Sequence, residues 1–210
     1  MNLSSHHPIG FLVAVAVTCM LPTTSLSQTI SLAELGPVGQ VQKVHGGFSF
    51  TEGPASHADG SIYFTDIPTA RIHRLAPDGT LSVLQESSGH ANGLMLAANG
   101  ELFKCEMDGK VTALNLDTMQ QRIVASTFGG KRFNAPNDLV IDKAGGVYFA
   151  DPHFRAPQPL PQGKTCVYYV TATGKVTRLI DNLKAPNGVI LSPDEKTLYV
   201  IPSGQAEMMA

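Results

Sequence analysis

The sequence predicts an all-β chain folded as a β-propeller, and two observations carry that prediction. The first is an internal repeat. Glu52-Gly53-Pro54 leads into the strand-like run Ile62-Tyr63-Phe64-Thr65-Asp66, and Ala91-Asn92-Gly93-Leu94 leads into Glu101-Leu102-Phe103. Asn134-Ala135-Pro136-Asn137-Asp138-Leu139-Val140 leads into Val147-Tyr148-Phe149-Ala150-Asp151-Pro152, and Pro186-Asn187-Gly188-Val189 into Thr197-Leu198-Tyr199-Val200. With Gly53, Gly93, Asp138 and Gly188 as equivalent positions, the copies recur at steps of 40, 45 and 50 residues. Several short strands in each such period are the signature of propeller blades. The second observation is that no segment sustains a helical period, while short apolar runs alternate with Gly, Asp, Asn and Pro turns.

Taken in order, residues 1–27 read as an export signal. Phe11 to Leu21 is an uncharged apolar run too short to cross a bilayer, Pro22 ends it, and Ser25-Leu26-Ser27 supplies the small-x-small pattern of a cleavage site. The segment before the run holds His6 and His7 but no Lys or Arg. The expectation is cleavage after Ser27, a periplasmic or secreted protein, and no stable membrane span. Residues 28–39 read as a lead-in, and 40–210 as a partial propeller.

In the first unit Arg71-Ile72-His73-Arg74-Leu75 and Thr80-Leu81-Ser82-Val83-Leu84 flank Ala76-Pro77-Asp78-Gly79, a turn with Pro at its second position and Gly at its end. The second unit continues with Lys110 to Leu114 and Arg122 to Ala125, the third with Val167 to Val170 and Lys175 to Ile180. The third unit also carries an insertion, Pro152 to Gly163, whose prolines forbid a central strand. It reads as a loop, either ordinary surface or a wall that touches substrate.

Fifteen basic residues nearly balance 17 acidic ones, for a net charge of −2. Basic residues are scattered singly, so nothing recruits nucleic acid or acidic membrane by bulk charge. Cys105 and Cys166 lie inside strand-like runs and read as buried free thiols, although export would permit a disulfide.

In a propeller the innermost strand of each blade faces the central axis, so residues at one end of those strands converge. Here these are Glu52, Asn92, Asn137 with Asp138, and Asn187. All carry side-chain oxygens, which suit a hard divalent cation such as calcium. Asn-Gly is also a common turn dipeptide, so each asparagine alone reads as well as a turn residue. Glu52 is more informative, because Glu is not a favoured turn residue. Asp66 and Asp151 end equivalent aromatic strands, which suggests a structural role bonding backbone amides. His90 and His153 are candidates for substrate contact, or simply surface histidines.

The motifs Glu52-Gly53-Pro54, Gly130-Lys131-Arg132-Phe133-Asn134-Ala135-Pro136-Asn137-Asp138, Tyr148-Phe149-Ala150-Asp151-Pro152 and Pro186-Asn187-Gly188 together resemble the gluconolactonase, regucalcin (senescence marker protein) and luciferin-regenerating enzyme family. The resemblance covers roughly Gln40 to Ser203. It implies a six-bladed propeller with a divalent metal at one mouth of the channel. It also implies hydrolysis of a small-molecule lactone, a sugar lactone in the gluconolactonases, by metal polarisation of the carbonyl and attack of water. Alternatives are a non-catalytic calcium- or sugar-binding propeller and an organophosphate hydrolase. By resemblance Glu52, Asn137 and Asn187 are metal ligands and Arg132 contacts substrate; Asn137 and His153 are further candidate substrate contacts. Asp138 ligates or orients, and is the candidate catalytic carboxylate. The family's further metal-binding aspartate falls one blade beyond Asn187. Four blade starts leave about two blades of such a ring unaccounted for, so the sequence reads as a fragment or a truncated gene product. Where these relatives tend to carry Cys-Glu-His, this chain has Cys105-Glu106-Met107.

Overall fold

The structure, a computed structural model, describes residues 39–204 and 208–210. The predicted export signal and nearly all of the lead-in lie outside the described residues. Lys43 to Ala210 form one compact unit, built wholly of strands and turns among the described residues.

Three antiparallel four-stranded meanders follow one another along the chain. The first contains β1 (Thr51–Ser56), β2 (Ile62–Asp66), β3 (Arg71–Leu75) and β4 (Leu81–Gln85). The second contains β5 (Ala91–Leu96), β6 (Glu101–Glu106), β7 (Lys110–Asn115) and β8 (Gln121–Ala125). A short hairpin, β9 (Thr127–Phe128) and β10 (Lys131–Arg132), turns at Gly129 and Gly130, both at positive φ. The third meander contains β11 (Leu139–Ile141), β12 (Val147–Asp151), β13 (Cys166–Val170) and β14 (Val176–Ile180). A fourth unit pairs β15 (Pro186–Leu191) with β16 (Leu198–Pro202), and Met209 bridges to Val200.

The first strand of each unit lies beside the first strand of the next, β1 by β5, β5 by β11 and β11 by β15. Sheets of consecutive strands with adjacent inner strands are propeller blades. The chain therefore builds three complete blades and the start of a fourth, as the repeat predicts.

Period-two alternation decides what packs where, because successive side chains of a strand point to opposite faces. In β6, Leu102 packs against Ala55, Tyr63 and Ile72 of blade 1, while Phe103 and Cys105 face Leu139, Val147 and Phe149 of blade 3. In β12, Phe149 faces blade 2, whereas Ala150 packs with Val189 and Val200 of blade 4. Each hydrophobic layer is thus shared by two blades. Both cysteines lie buried in the layer between blades 2 and 3 as free thiols, as the sequence suggests, and burial pushes the Cys105 thiol up.

The layer between blades 1 and 2 also holds polar side chains, on the same face of β6 as Leu102. Lys104 and Glu106, both almost wholly buried, pair at 3.2 Å. Lys104 Nζ also donates to Gln85 Oε1 at 2.7 Å, and Glu106 Oε1 accepts from Thr112 and Gln121. Burial lowers the Lys104 pKa, against the attraction of Glu106.

Candidate metal-binding site

The inner strands are irregular where the predicted ligands lie. The β1–β2 register shifts between Glu52 and Ala55, β5–β6 between Ala91 and Leu94, and β15–β16 between Pro186 and Gly188. Such bulges re-aim side chains out of the ladder. In blade 3 the strand begins only at Leu139, so Pro136-Asn137-Asp138 precede it as extended chain, held by Asn137 N donating to Ala150 O at 2.9 Å.

Glycine lets the blades approach at these points. Gly53, at φ 53°, has no room for a side chain, because a Cβ would meet the Asn92 carbonyl oxygen. A Cβ on Gly93 would lie 2.7 Å from Asp138 Oδ1 and 2.8 Å from Asn137 O. That closeness permits bonds between blades: Gly93 N donates to Asn137 O at 2.7 Å, and the Thr65 hydroxyl reaches Asn92 O of the next blade, sharing its hydrogen with Glu52 O of its own.

The side chains of Glu52, Asn92, Asn137 and Asn187, one from each blade, line a single cavity of 360 Å³. Phe50, Ile67, Pro68, Met107, Phe154 and Arg155 complete its wall. Glu52 is exposed, with Phe50 beside it on the cavity wall. Asn137 is 5% exposed, and its side-chain amide bonds to no described residue. Asn187 Nδ2 donates to Ser203 Oγ at 2.8 Å, and Asn92 Nδ2 points to Met107 Sδ at 3.8 Å. One N–H of each is thereby engaged, and the amide oxygens of Asn92 and Asn187 bond to no described residue. Hard oxygen donors from four blades, one of them a carboxylate, fit a divalent cation such as calcium. Among the described residues no three of His, Cys, Asp and Glu gather as a metal site, so the donor set depends on amides.

Asp138 does not line the cavity. Its Oδ2 accepts Val189 N at 3.0 Å, and its carboxylate lies between Gly93 and Gly188 on the inner strands of blades 2 and 4. Burial raises its pKa, opposed by the amides of Val189 and Leu139, with Glu52 adding to the rise. Asp66 and Asp151 take the structural role expected of them. Asp66 accepts Phe50 N at 2.8 Å and Ser49 N at 3.2 Å, and Asp151 accepts Ala135 N at 2.8 Å and Asn134 N at 2.9 Å. Each thereby holds the approach to its inner strand. Burial pushes Asp151 up to about 7, against those two amides.

Arg132 and His153 also lie off the cavity wall. Arg132 donates to the carbonyls of Phe133 and Asn134 and packs at Gly109. His153 is exposed, its ring 4.8 Å from that of Phe154. The insertion instead contributes Phe154 and Arg155, the latter at φ 60°. His90 pairs with Asp108 at 3.0 Å, away from the cavity. A larger cavity of 610 Å³ sits among the turns at the other end of the inner strands and contains none of the predicted ligands.

The family model described as SMP-30/Gluconolactonase/LRE-like region matches residues 50–210. The chain belongs to this family. The gluconolactonase of Zymomonas mobilis is 29% identical over 187 residues, covering 79% of this chain and 52% of that protein. The lactonase drp35 of Staphylococcus haemolyticus is 31% identical over 147 residues, covering 67% of this chain and 41% of that one. The solved structure of a gluconolactonase from Xanthomonas campestris superposes with a TM-score of 0.73 at 31% identity, covering 79% of this chain and 59% of that chain. The chain thus spans about half the length of the curated relatives it matches. Of the cavity's walls, the family motifs point to Glu52, Asn137 and Asn187. Sequence reasoning passed over Phe50, Ile67, Pro68 and Phe154 as site residues, because apolar side chains carry no chemical signature. Met107 had a signal, as a departure from the relatives' Cys-Glu-His.

Proposed function

We propose that the protein containing this chain is a metal-dependent hydrolase that opens a small-molecule lactone. One observation carries the reading: four oxygen-bearing side chains from four successive blades share one cavity, with the amide nitrogens of two of them turned to other partners. The named activities of the lactonase and gluconolactonase relatives support the choice of substrate class.

Glu52, Asn137 and Asn187 would hold the cation, with Asn92 beside them. A divalent cation, calcium by the hardness of these donors, supplies a Lewis acid for the lactone carbonyl oxygen. Water attacks the carbonyl carbon and gives up a proton, the ring C–O bond breaks, and the departing alkoxide takes a proton to give the hydroxy acid. Asp138, next to Asn137 but off the cavity wall, would act as proton acceptor only through an intervening water. Its contact with Val189 N favours a second reading, a non-catalytic cation-binding propeller in which Asp138 only ties blades together. We assign the protein to the periplasm or the exterior on the strength of residues 1–27. Amino-terminal sequencing of the mature protein should then begin at Gln28.

A pH-stat assay of the whole protein on lactones, with and without chelator, tests the reading. Chelator should abolish hydrolysis, and chelator-insensitive turnover would sink the metal mechanism. Asp138→Asn should lower kcat by at least about 100-fold with cation affinity kept, the size of a general-base contribution. Unchanged kcat would return Asp138 to the tying role.

A further inference from the structure

We propose that the substrate is a lactone bearing an apolar alkyl or aryl substituent, not a polyhydroxylated sugar lactone. Phe154 and Met107 are the residues that select it. This inference rests on the lactone-hydrolase reading. It arises from the cavity's walls, not from its floor. Five of the ten residues lining the cavity are apolar: Phe50, Ile67, Pro68, Met107 and Phe154. They do not merely border the space. Ile67, Met107 and Ala135 form a hydrophobic cluster of their own, and Phe154 and Ala156 of the insertion pack onto it. The insertion therefore reaches the site by laying an aromatic ring against Met107 and Ile67.

Part of the wall's polar capacity is taken up within the protein. Asn187 Nδ2 donates to Ser203 Oγ, and Asn92 Nδ2 points to Met107 Sδ. The oxygens of the asparagines and Glu52 suit a cation. Arg155, the one cationic side chain on the described wall, and the Asn137 amide are the main donors left for a ligand. A sugar ring brings hydroxyls around its whole edge, and each hydroxyl buried against Phe154, Pro68 or Ile67 would lose its water partners without replacement. An alkyl or aryl substituent gains from the same burial. Met107 adapts to such a group, since its thioether is unbranched and polarizable and makes favourable contacts with rings. The volume of 360 Å³ is in the range of small-ligand sites.

The test compares two δ-lactones of matching heavy-atom count on the whole protein with calcium present, D-glucono-δ-lactone and δ-decalactone. The decalactone should have the higher kcat/KM by about 10-fold or more, a typical discrimination for apolar pocket contacts. Phe154→Ala and Met107→Gln should each cut kcat/KM for the decalactone about 10-fold more than they cut it for gluconolactone. Thermal melting of each variant, run in parallel, checks that the fold is kept. Preference for gluconolactone, or equal loss on both substrates in both variants, overturns the assignment while leaving the hydrolase reading in place. No turnover of either lactone with cation bound overturns both.

Discussion

His73 occupies an unusual position for a polar side chain. It is 7% exposed, its ring stacks on Phe64 with centroids 5.3 Å apart and meets Phe48 edge-on, and neither ring nitrogen has a hydrogen-bond partner. Burial lowers its pKa, with nearby Asp66 pulling the other way. The unfolded chain therefore binds the proton more readily than the folded one. The neutral ring's contribution to stability is present above the unfolded value of about 6.5 and is lost as pH falls through the folded value. Urea midpoints measured from pH 8 down to pH 5 should decline, and His73→Phe should flatten that decline. An identical slope in the variant would show that other groups dominate. Glu52 belongs to the same scale. Glu52→Gln keeps shape but removes the one carboxylate facing the cavity, so calcium affinity by calorimetry should fall at least about 10-fold. An unchanged affinity removes Glu52 from the ligand set.

At the scale of elements, blade spacing depends on what the inner strands omit. Gly53 is both left-handed and against the Asn92 carbonyl, so Gly53→Ala strains the backbone and forces β1 from β5. The expected loss is about 2–3 kcal/mol in denaturant unfolding, at the upper end for overpacking. Gly79→Ala, at φ 84° but with nothing near, should cost only about 1 kcal/mol. Equal costs would mean that the close approach of β1 to β5 contributes nothing. Asp151 serves its own blade by bonding Asn134 N and Ala135 N, three and two residues before Asn137. Asp151→Ala strands two buried amides at about 1–3 kcal/mol each and should lower cation affinity with stability. A stability loss with cation affinity intact would confine Asp151 to scaffolding.

For the molecule as a whole, the blades bury their faces against one another only where a neighbour is present. Tyr63 and Ile72 of blade 1 are covered by blade 2, while Ile62 and Val83 stay exposed at 41% and 42%. On blade 4 Val189 and Val200 are covered, and Ile190 and Ile201 are exposed at 55% and 50%. In a propeller such apolar rows are the faces against which a neighbouring blade packs.

The repeat of turn, strand, turn and aromatic strand determined the blades. Propeller strands pair with their sequence neighbours, so the topology follows from order alone. Asp66 and Asp151 were legible for the same reason, since equivalent places in a repeat carry equivalent contacts. Glu52, Asn137 and Asn187 were legible as a set of oxygen donors at one end of the inner strands, and their common cavity follows from the ring. What the order could not convey is direction and company. Asp138 follows Asn137 immediately, yet its carboxylate turns to Val189, because consecutive residues of extended chain point to opposite sides. Arg132 bonds to its neighbours' carbonyls, and in the insertion Phe154 and Arg155, not His153, reach the wall. The Lys104–Glu106 pair with Gln85, and the apolar wall of Phe50, Ile67, Pro68, Met107 and Phe154, join residues from different blades and loops. Those contacts depend on how the sheets pack face to face, a property of distances between elements that only the tertiary structure decides.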